Sequence, residues 1–252
     1  MERSEYQTLD AVESQMWWFV AVRRNLLSLS ERLPLDAMGC CAILDAGCGT
    51  GGLLPQLAAH HPQHSLVGLD INAEACTRAA TKSAQLICAG SVNALPFPDG
   101  VFAAIFSADV LSHRCVDERG ALLQFNRCLT HDGWLVLNLP AYRWMLSRHD
   151  GAVHNVRRYT AKGLRRPLQA AGFRLVYTTY WNAVLFPLMV MARKLLPRGD
   201  AVTSDVKVYP PPIDLLCRAV TAFEHVLIRA GCRFPFGSSI LAIACKEYAA
   251  YG

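Results

Sequence analysis

The sequence predicts an α/β fold built as a doubly wound, mostly parallel sheet of seven strands with helices on both faces. Two patterns and one dimension carry this. Short, continuous apolar runs alternate with stretches of helical periodicity, the arrangement that right-handed β–α–β crossovers need. The first run ends in a glycine-rich turn, "ILDAGCGTGG" (43–52), which opens the following helix. At 252 residues, 52% of them hydrophobic and 18% charged, the chain can bury one large core.

Each element has a local reason. Residues 4–32 carry apolar side chains at helical spacing, and Pro34 stops that helix. "CAILDA" (41–46) reads as a strand buried on both faces. Gly47 to Gly52 make a turn, and a helix follows with Pro55 in its first turn, where a missing N–H matters least. "SLVGLD" (65–70) is the second strand, and Asn72 caps the next helix. "AQLICAGSV" holds a third strand, and "FAAIFSA" (102–108) is the fourth. A helix crosses "DERGALLQFNRCL", "HDG" turns, and "WLVLNLP" (134–140) is the fifth strand. Thr160 caps a helix that Pro167 should kink and that ends at Gly172. "FRLVYTTY" is the sixth strand. "SSILAIACK" (238–246) is the seventh, set apart by an insertion over 181–238. One domain results: an N-terminal helical cap over 1–38, a core over 39–180, the helical insertion, and a last strand over 239–248.

Composition narrows the setting. Ten cysteines include the adjacent pair Cys40 and Cys41 and show no disulfide or zinc spacing, so reduced thiols and a cytoplasmic location are expected. The N-terminus lacks the apolar core of a signal peptide, and the longest apolar run is too short to span a bilayer. The net charge of +5 is uneven. Between Arg143 and Arg174 stand eight Lys/Arg and one acid, Asp150. That segment is either a solvated basic surface or the neighbour of an anionic substrate or membrane.

The turn raises the functional question. Gly47, Gly49 and Gly52 satisfy the GxGxxG spacing of dinucleotide-binding enzymes, and glycines there let a ligand approach backbone N–H groups. A pyrophosphate would be repelled by Asp45, two residues before Gly47. A ligand with a cationic tail would be attracted, and S-adenosylmethionine has an amino group and a sulfonium. Asp70, at the end of the second strand, suits both ribose hydroxyls but does so for either cofactor. Structural alternatives are a loop-capping role for Asp45 and a strand-end turn for Asp70.

With these residues the sequence resembles the class I S-adenosylmethionine-dependent methyltransferases, bacterial members with an "LDxGCGTG" first motif above all, over about residues 40–180. The resemblance implies a Rossmann-like methyltransferase fold whose last strand is antiparallel. It places Asp45, Gly47, Gly49 and Gly51 at the cofactor and Asp70 on the ribose, with Ile71 against the adenine. "GSVNALPFPDG" resembles the third motif, with Ser91 and Val92 at the adenine edge. "FAAIFSADVLSH" resembles the fourth, with Ser107 and Ala108 beside the methionine part. The family often has acids where Ala103 and Ser112 stand. "MWWFVAVRR" resembles a helix that closes over the cofactor, which makes Trp18 and Arg23 candidate contacts. Trp17, Trp18 and Phe19 cannot all face inward, so at least one packs the helix to the sheet.

Ligands in such sheets lie beyond the carboxyl ends of the strands. The loop after the fifth strand, "NLPAYRWMLSRHDGAVHNVRRYT", should therefore overhang the acceptor. His149 or His154 is a candidate base with Asp150 orienting it, and Tyr159 lies beside them. These residues can equally order the loop by hydrogen bonds and ion pairs. HxxxxH with one Asp lacks a third ligand, so no metal is expected. The insertion is apolar with a basic end: a lid, a homodimer surface, a pocket for a lipid-like acceptor, or a peripheral membrane contact. The expected activity is methyl transfer from S-adenosylmethionine to a small or lipid-like, possibly anionic acceptor, with no nucleic-acid partner. The alternatives are a nicotinamide oxidoreductase, a non-catalytic cofactor-binding relative and a membrane-surface scaffold.

Overall fold

A computed structural model of the chain describes residues 10, 12–39, 41–195 and 209–247, without the side chains of 148, 149 and 192–195. Seven strands form one sheet: β1 (Ala42–Ala46), β2 (Leu66–Asp70), β3 (Leu86–Ala89), β4 (Phe102–Ala108), β5 (Leu129–Pro140), β6 (Phe173–Trp181) and β7 (Ser239–Lys246). Their order is β3-β2-β1-β4-β5-β7-β6. β7 runs antiparallel to both β5 and β6, and the other pairings are parallel. Side-chain alternation splits the core between the two faces. Leu135, Leu137 and Leu139 of β5 point to one cluster and Val136 to the other.

Eight helices among the described residues cover the sheet: α1 (Trp17–Ser30), α2 (Leu54–His60), α3 (Ala73–Lys82), α4 (Glu118–Cys128), α5 (Arg148–Ala152), α6 (Ala161–Ala170), α7 (Phe186–Leu195) and α8 (Pro211–Arg229). Phe125 of α4 and Leu164 and Leu168 of α6 pack on the first face. Leu26 of α1, Leu54 of α2 and Ile228 of α8 pack on the second. Asn72 caps α3 by accepting from Ala75 N at 2.9 Å, and Thr160 caps α6 by accepting from Gly163 N at 3.0 Å. Pro55 sits in the first turn of α2.

Three expectations change. The N-terminal helix does not run unbroken from residue 4: of that stretch, 1–9 and 11 lie outside the described residues, 13–15 form a turn, and α1 begins at Trp17. Its first N–H is satisfied by Asp214 of α8, at 3.0 Å, which fixes the helix start from 197 residues away. "HDG" is not a separate turn. β5 begins at Leu129 and passes through those residues, with the pairing shifted opposite Phe102–Ala104 and Asp132 at φ 60°. α6 runs uninterrupted through Pro167, whose carbonyl still accepts from Ala171 N at 3.2 Å. The insertion supplies α7 and α8, and residues 196–208 between them lie outside the described residues.

Candidate active site

The carboxyl ends of β1, β2, β4 and β5 meet on one edge, and the glycine turn crosses them. Gly47 N and Cys48 N donate to Leu69 O at 2.7 and 2.9 Å, locking the turn to β2. Gly49 N donates to Asp70 Oδ2 at 2.9 Å, and Asn72 N donates to Asp70 Oδ1 at 2.9 Å. Asp70 therefore shapes the loop. Gly47 has φ 85°, and an added Cβ would lie 2.2 Å from Val110 Cγ2, so no side chain fits there. Gly51, at φ 86°, is packed onto Ala79 of α3 at 2.8 Å.

Asp45 is buried at the end of β1, and no described donor meets its carboxylate. Burial, then the charges of Asp70 and Glu13, raise its carboxyl to about 7. Asp45 and Asp70 stand together beside the glycine loop, with Glu13 nearby but paired to Lys82, and a cationic ligand group would complement the two. Ile71 follows Asp70 and is 66% exposed, an apolar platform on the loop surface. Ser91 accepts from Asn93 N at 3.2 Å in a tight bridge to Ala94, with Val92 buried beside it. Ser107 is buried with an unpartnered Oγ, and Ala108 pairs in register with Asn138. These residues fit a nucleoside with a cationic tail. A pyrophosphate would meet two carboxylates at close quarters.

α1 closes one side. Trp18 stacks on Trp181 with centroids 4.7 Å apart, while Trp17 is buried among Val12 and Met16. Arg23 donates from Nη1 to Glu13 O at 2.6 Å and lies 3.3 Å from where a Cβ on Gly52 would stand, so it borders the glycine turn. Burial pulls its guanidinium below the ordinary arginine range. Glu13 also pairs with Lys82, and Asp10 pairs with Arg78 at 2.6 Å, tying this end of the chain to α3.

In the loop after β5, Asp150 meets no histidine among the described residues. Its buried carboxylate is gripped by Arg158 through Nε at 2.9 Å and Nη2 at 3.0 Å, and it accepts from Ser147 N at 2.8 Å. Tyr159 donates to Leu111 O at 2.9 Å and is buried, and burial beside Glu118 pushes its phenol upward, so it ties the loop to the turn after β4. His154 sits at φ 57° with its ring 5.8 Å from that of His113. The side chain of His149 lies outside the described residues. Nor are Arg157 and Arg158 free cations: Arg157 donates to Leu111 O, His113 O and Val116 O at 2.9–3.1 Å.

A different acid, Asp109, stands just beyond the carboxyl end of β4. Asp109 follows Ala108 at φ 58°, a left-handed backbone that costs roughly 1–2 kcal/mol in a residue with a Cβ. Asn138 holds it twice: Asp109 N donates to Asn138 O at 2.8 Å, and Asn138 Nδ2 donates to Asp109 Oδ2 at 3.1 Å. Asn138 Oδ1 accepts from Trp181 Nε1 at 2.8 Å. Asp109 Oδ1 has no partner, and burial raises this carboxyl to about 7 against the lowering influence of Arg158 and Asn138. Beyond it, Tyr142 at φ 60° stacks between Tyr180 (5.3 Å) and Trp144 (5.6 Å), with Phe186 at 5.5 Å. Asp109 was legible as an acid at a strand end. Asn138, Tyr142, Trp181 and Phe186 carry no mark in the sequence, because their roles come from packing between β5, β6 and the insertion.

A family described as a methyltransferase domain matches residues 44–137. A malonyl-(acyl-carrier protein) O-methyltransferase of Herminiimonas arsenicoxydans is 30% identical over 110 residues, covering 44% of this chain and 40% of that protein. One of the same description from Geobacter sulfurreducens is 28% identical over 190 residues, covering 69% and 67%. The chain thus spans well under two thirds of the length of the first. A chain from the Haloferax volcanii complex that contains the Trm112 methyltransferase activator superposes with a TM-score of 0.62 at 16% identity, covering 98% of this chain and 100% of that one.

Proposed function

Because the chain belongs to the class I S-adenosylmethionine-dependent methyltransferases, we propose that it transfers a methyl group to a small or lipid-like acceptor held above β4 and β5. One observation carries the reading: the buried, unpartnered carboxylate of Asp45 beside Asp70 and the glycine turn. The donor supplies an electrophilic methyl on a cationic sulfur, so the protein's work is mostly placement. Asp45 and Asp70 hold the donor's polar parts, the turn whose close packing on Val110 and Ala79 requires Gly47 and Gly51 lies along it, and Ile71 and Val92 border the base. Ser91, Ser107 and Ala108 line the same edge, with Trp18 and Arg23 closing it from α1.

On the acceptor side, Asp109 Oδ1 has no hydrogen-bond partner among the described residues. With its carboxyl near 7, it takes a proton from an attacking hydroxyl or amine, and His154 is the second candidate. Tyr142, Trp144 and Phe186 offer apolar area for a hydrophobic acceptor. Two curated relatives are named for methylating a malonyl group on acyl-carrier protein, which supports an oxygen nucleophile on a long, flexible acceptor.

Calorimetry with S-adenosylhomocysteine and with NADH tests the donor. S-adenosylhomocysteine should bind and NADH should not, and the reverse result would end the reading. A panel of carboxylate, phenol, amine and isoprenoid acceptors, scored by S-adenosylhomocysteine release, tests the acceptor class.

A further inference from the structure

A second cleft opens between the outer faces of α1, α2 and α8, sharing Arg23 with the border of the glycine turn. It offers about 520 Å3 of open-sided space and is lined by Arg23, Arg24, Ser28, His60, Arg218 and His225, together with Arg229 and Glu31. A cavity of that size exceeds any single water and falls within the range of ligand sites.

Its walls carry donors without acceptors. Arg23 Nε, Arg24 Nη1 and Ser28 Oγ are buried and have no hydrogen-bond partner among the described residues. Arg23 is nine-tenths buried, and Arg24 makes no hydrogen bond or ion pair among them. An orphaned buried donor costs about 1–3 kcal/mol, more when it is charged, and three in one cleft are not explained by packing. The charge balance points the same way. Arg229 is paired with Glu31 at 2.9 Å and Arg218 with Asp214, while Glu13 is paired with Lys82. The two carboxylates on Arg229 and Arg218 leave Arg24 without an acid partner among the described residues, while Arg23 shares Glu13 with Lys82. Arg218 and Arg23 repel each other, and the positive charges of Arg24 and Arg229 help burial hold His225 below the ordinary histidine range.

We propose that this cleft binds a phosphate or diphosphate group. Such a group is all acceptor, carries two or more negative charges, and presents several oxygens to a set of forked guanidinium donors. The adjoining surface bears on the source of that phosphate. On α8 the cationic edge of Arg218 and Arg229 lies three residues from Leu215 and Val226, and Leu215, Leu216, Phe223 and Val226 are each more than 60% exposed. A phospholipid headgroup could enter from that side with its chains on the apolar face, and a soluble phosphate ester could enter without it.

The test uses the full chain and two probes: sodium pyrophosphate by calorimetry, and vesicles containing phosphatidic acid by co-sedimentation. Arg24→Gln should weaken the productive probe at least about tenfold, equal to 1.4 kcal/mol, and Arg24→Lys should recover part of the loss. Arg229→Gln, on a more exposed residue, serves if the first variant does not fold. Pyrophosphate binding that depends on Arg24 supports the site with a soluble ligand. Vesicle binding alone, lost in both Arg24→Gln and Phe223→Asp, supports it with a lipid headgroup. Binding of neither probe at millimolar concentration, or binding indifferent to Arg24, overturns the proposal. S-adenosylhomocysteine affinity is measured in the same variants and should be unchanged. If it falls with Arg24→Gln, the cleft belongs to the donor site and the proposal fails, while the methyl-transfer reading stands.

Discussion

Asp45 and Asp109 are chemically alike, and their surroundings give them different work. Both are raised to about 7 chiefly by burial, but Asp45 has two acids beside it whereas Asp109 has Arg158 and an asparagine. A cationic ligand relieves the first directly. Replacing Asp45 by Asn keeps the shape and removes the charge, and should weaken S-adenosylhomocysteine binding at pH 8 by about 30-fold, or ~2 kcal/mol. In the unmodified protein the same affinity should fall as pH drops below 7, by up to about tenfold per unit, because the ligand must then displace a proton. Calorimetry from pH 5.5 to 8.5 checks both, and a flat profile would refute the role of Asp45. Asp109→Asn should leave donor affinity nearly unchanged and lower turnover by about 10²–10⁴-fold on an acceptor that must lose a proton. Turnover within tenfold of normal would move the base to His154.

At the scale of elements, sequence-local signals were sound where the physics is local. Asn72 and Thr160 cap their helices through their own side chains, and the strands fall where short apolar runs end in turn residues. The start of α1 was not readable, because its cap is Asp214 on α8. Residue type alone left Asp150 and Tyr159 open between acid–base chemistry and loop ordering, and it is their partners Arg158 and Leu111 that tie them into the loop. The remote cap makes a direct prediction. Asp214→Ala removes the acceptor of Trp17 N and the partner of Arg218 together, and a carboxylate at a helix N-terminus is favourable. The loss should be about 1–2 kcal/mol in chemical denaturation. Limited proteolysis should then cut first near residues 13–17, and an unchanged pattern would show that packing by Trp17 alone fixes the helix.

For the whole molecule, the doubly wound, mostly parallel sheet was legible because the glycine turn, the crossovers and the apolar runs agree, and the antiparallel last strand came from the family resemblance. The site was legible only where the chain touches its own glycine turn, since the far wall is assembled from β5, β6 and an insertion that meet in three dimensions. That assembly buries titratable groups of both kinds, and their opposing linkages set a stability profile. Asp45 and Asp109 have folded values near 7, above the 3.8 of an unfolded aspartate. The folded state thus carries their full penalty above pH 7 and sheds it as pH falls through 7 toward 4. His113 is depressed from 6.5 to about 4 by burial, and burial also lowers His61 and His225. Their contribution is intact above 6.5 and is lost as pH falls below it, because the unfolded chain takes up the protons first. Two groups gain and three lose, and both windows lie below about pH 7. Thermal stability of the ligand-free protein should therefore be nearly flat from pH 8.5 to about 7.5, and below 7 the carboxyl gain should offset part of the histidine loss. S-adenosylhomocysteine should stabilise more at pH 8 than at pH 6, because it offsets the charge on Asp45 only where that charge exists. Melting curves from pH 8.5 to 4.5, with Asp45→Asn and Asp109→Asn in parallel, separate the contributions: each variant should lose the carboxyl gain and so fall more steeply below pH 7. A slope below pH 7 that the double variant leaves unchanged would mean that neither carboxylate holds a proton near neutrality.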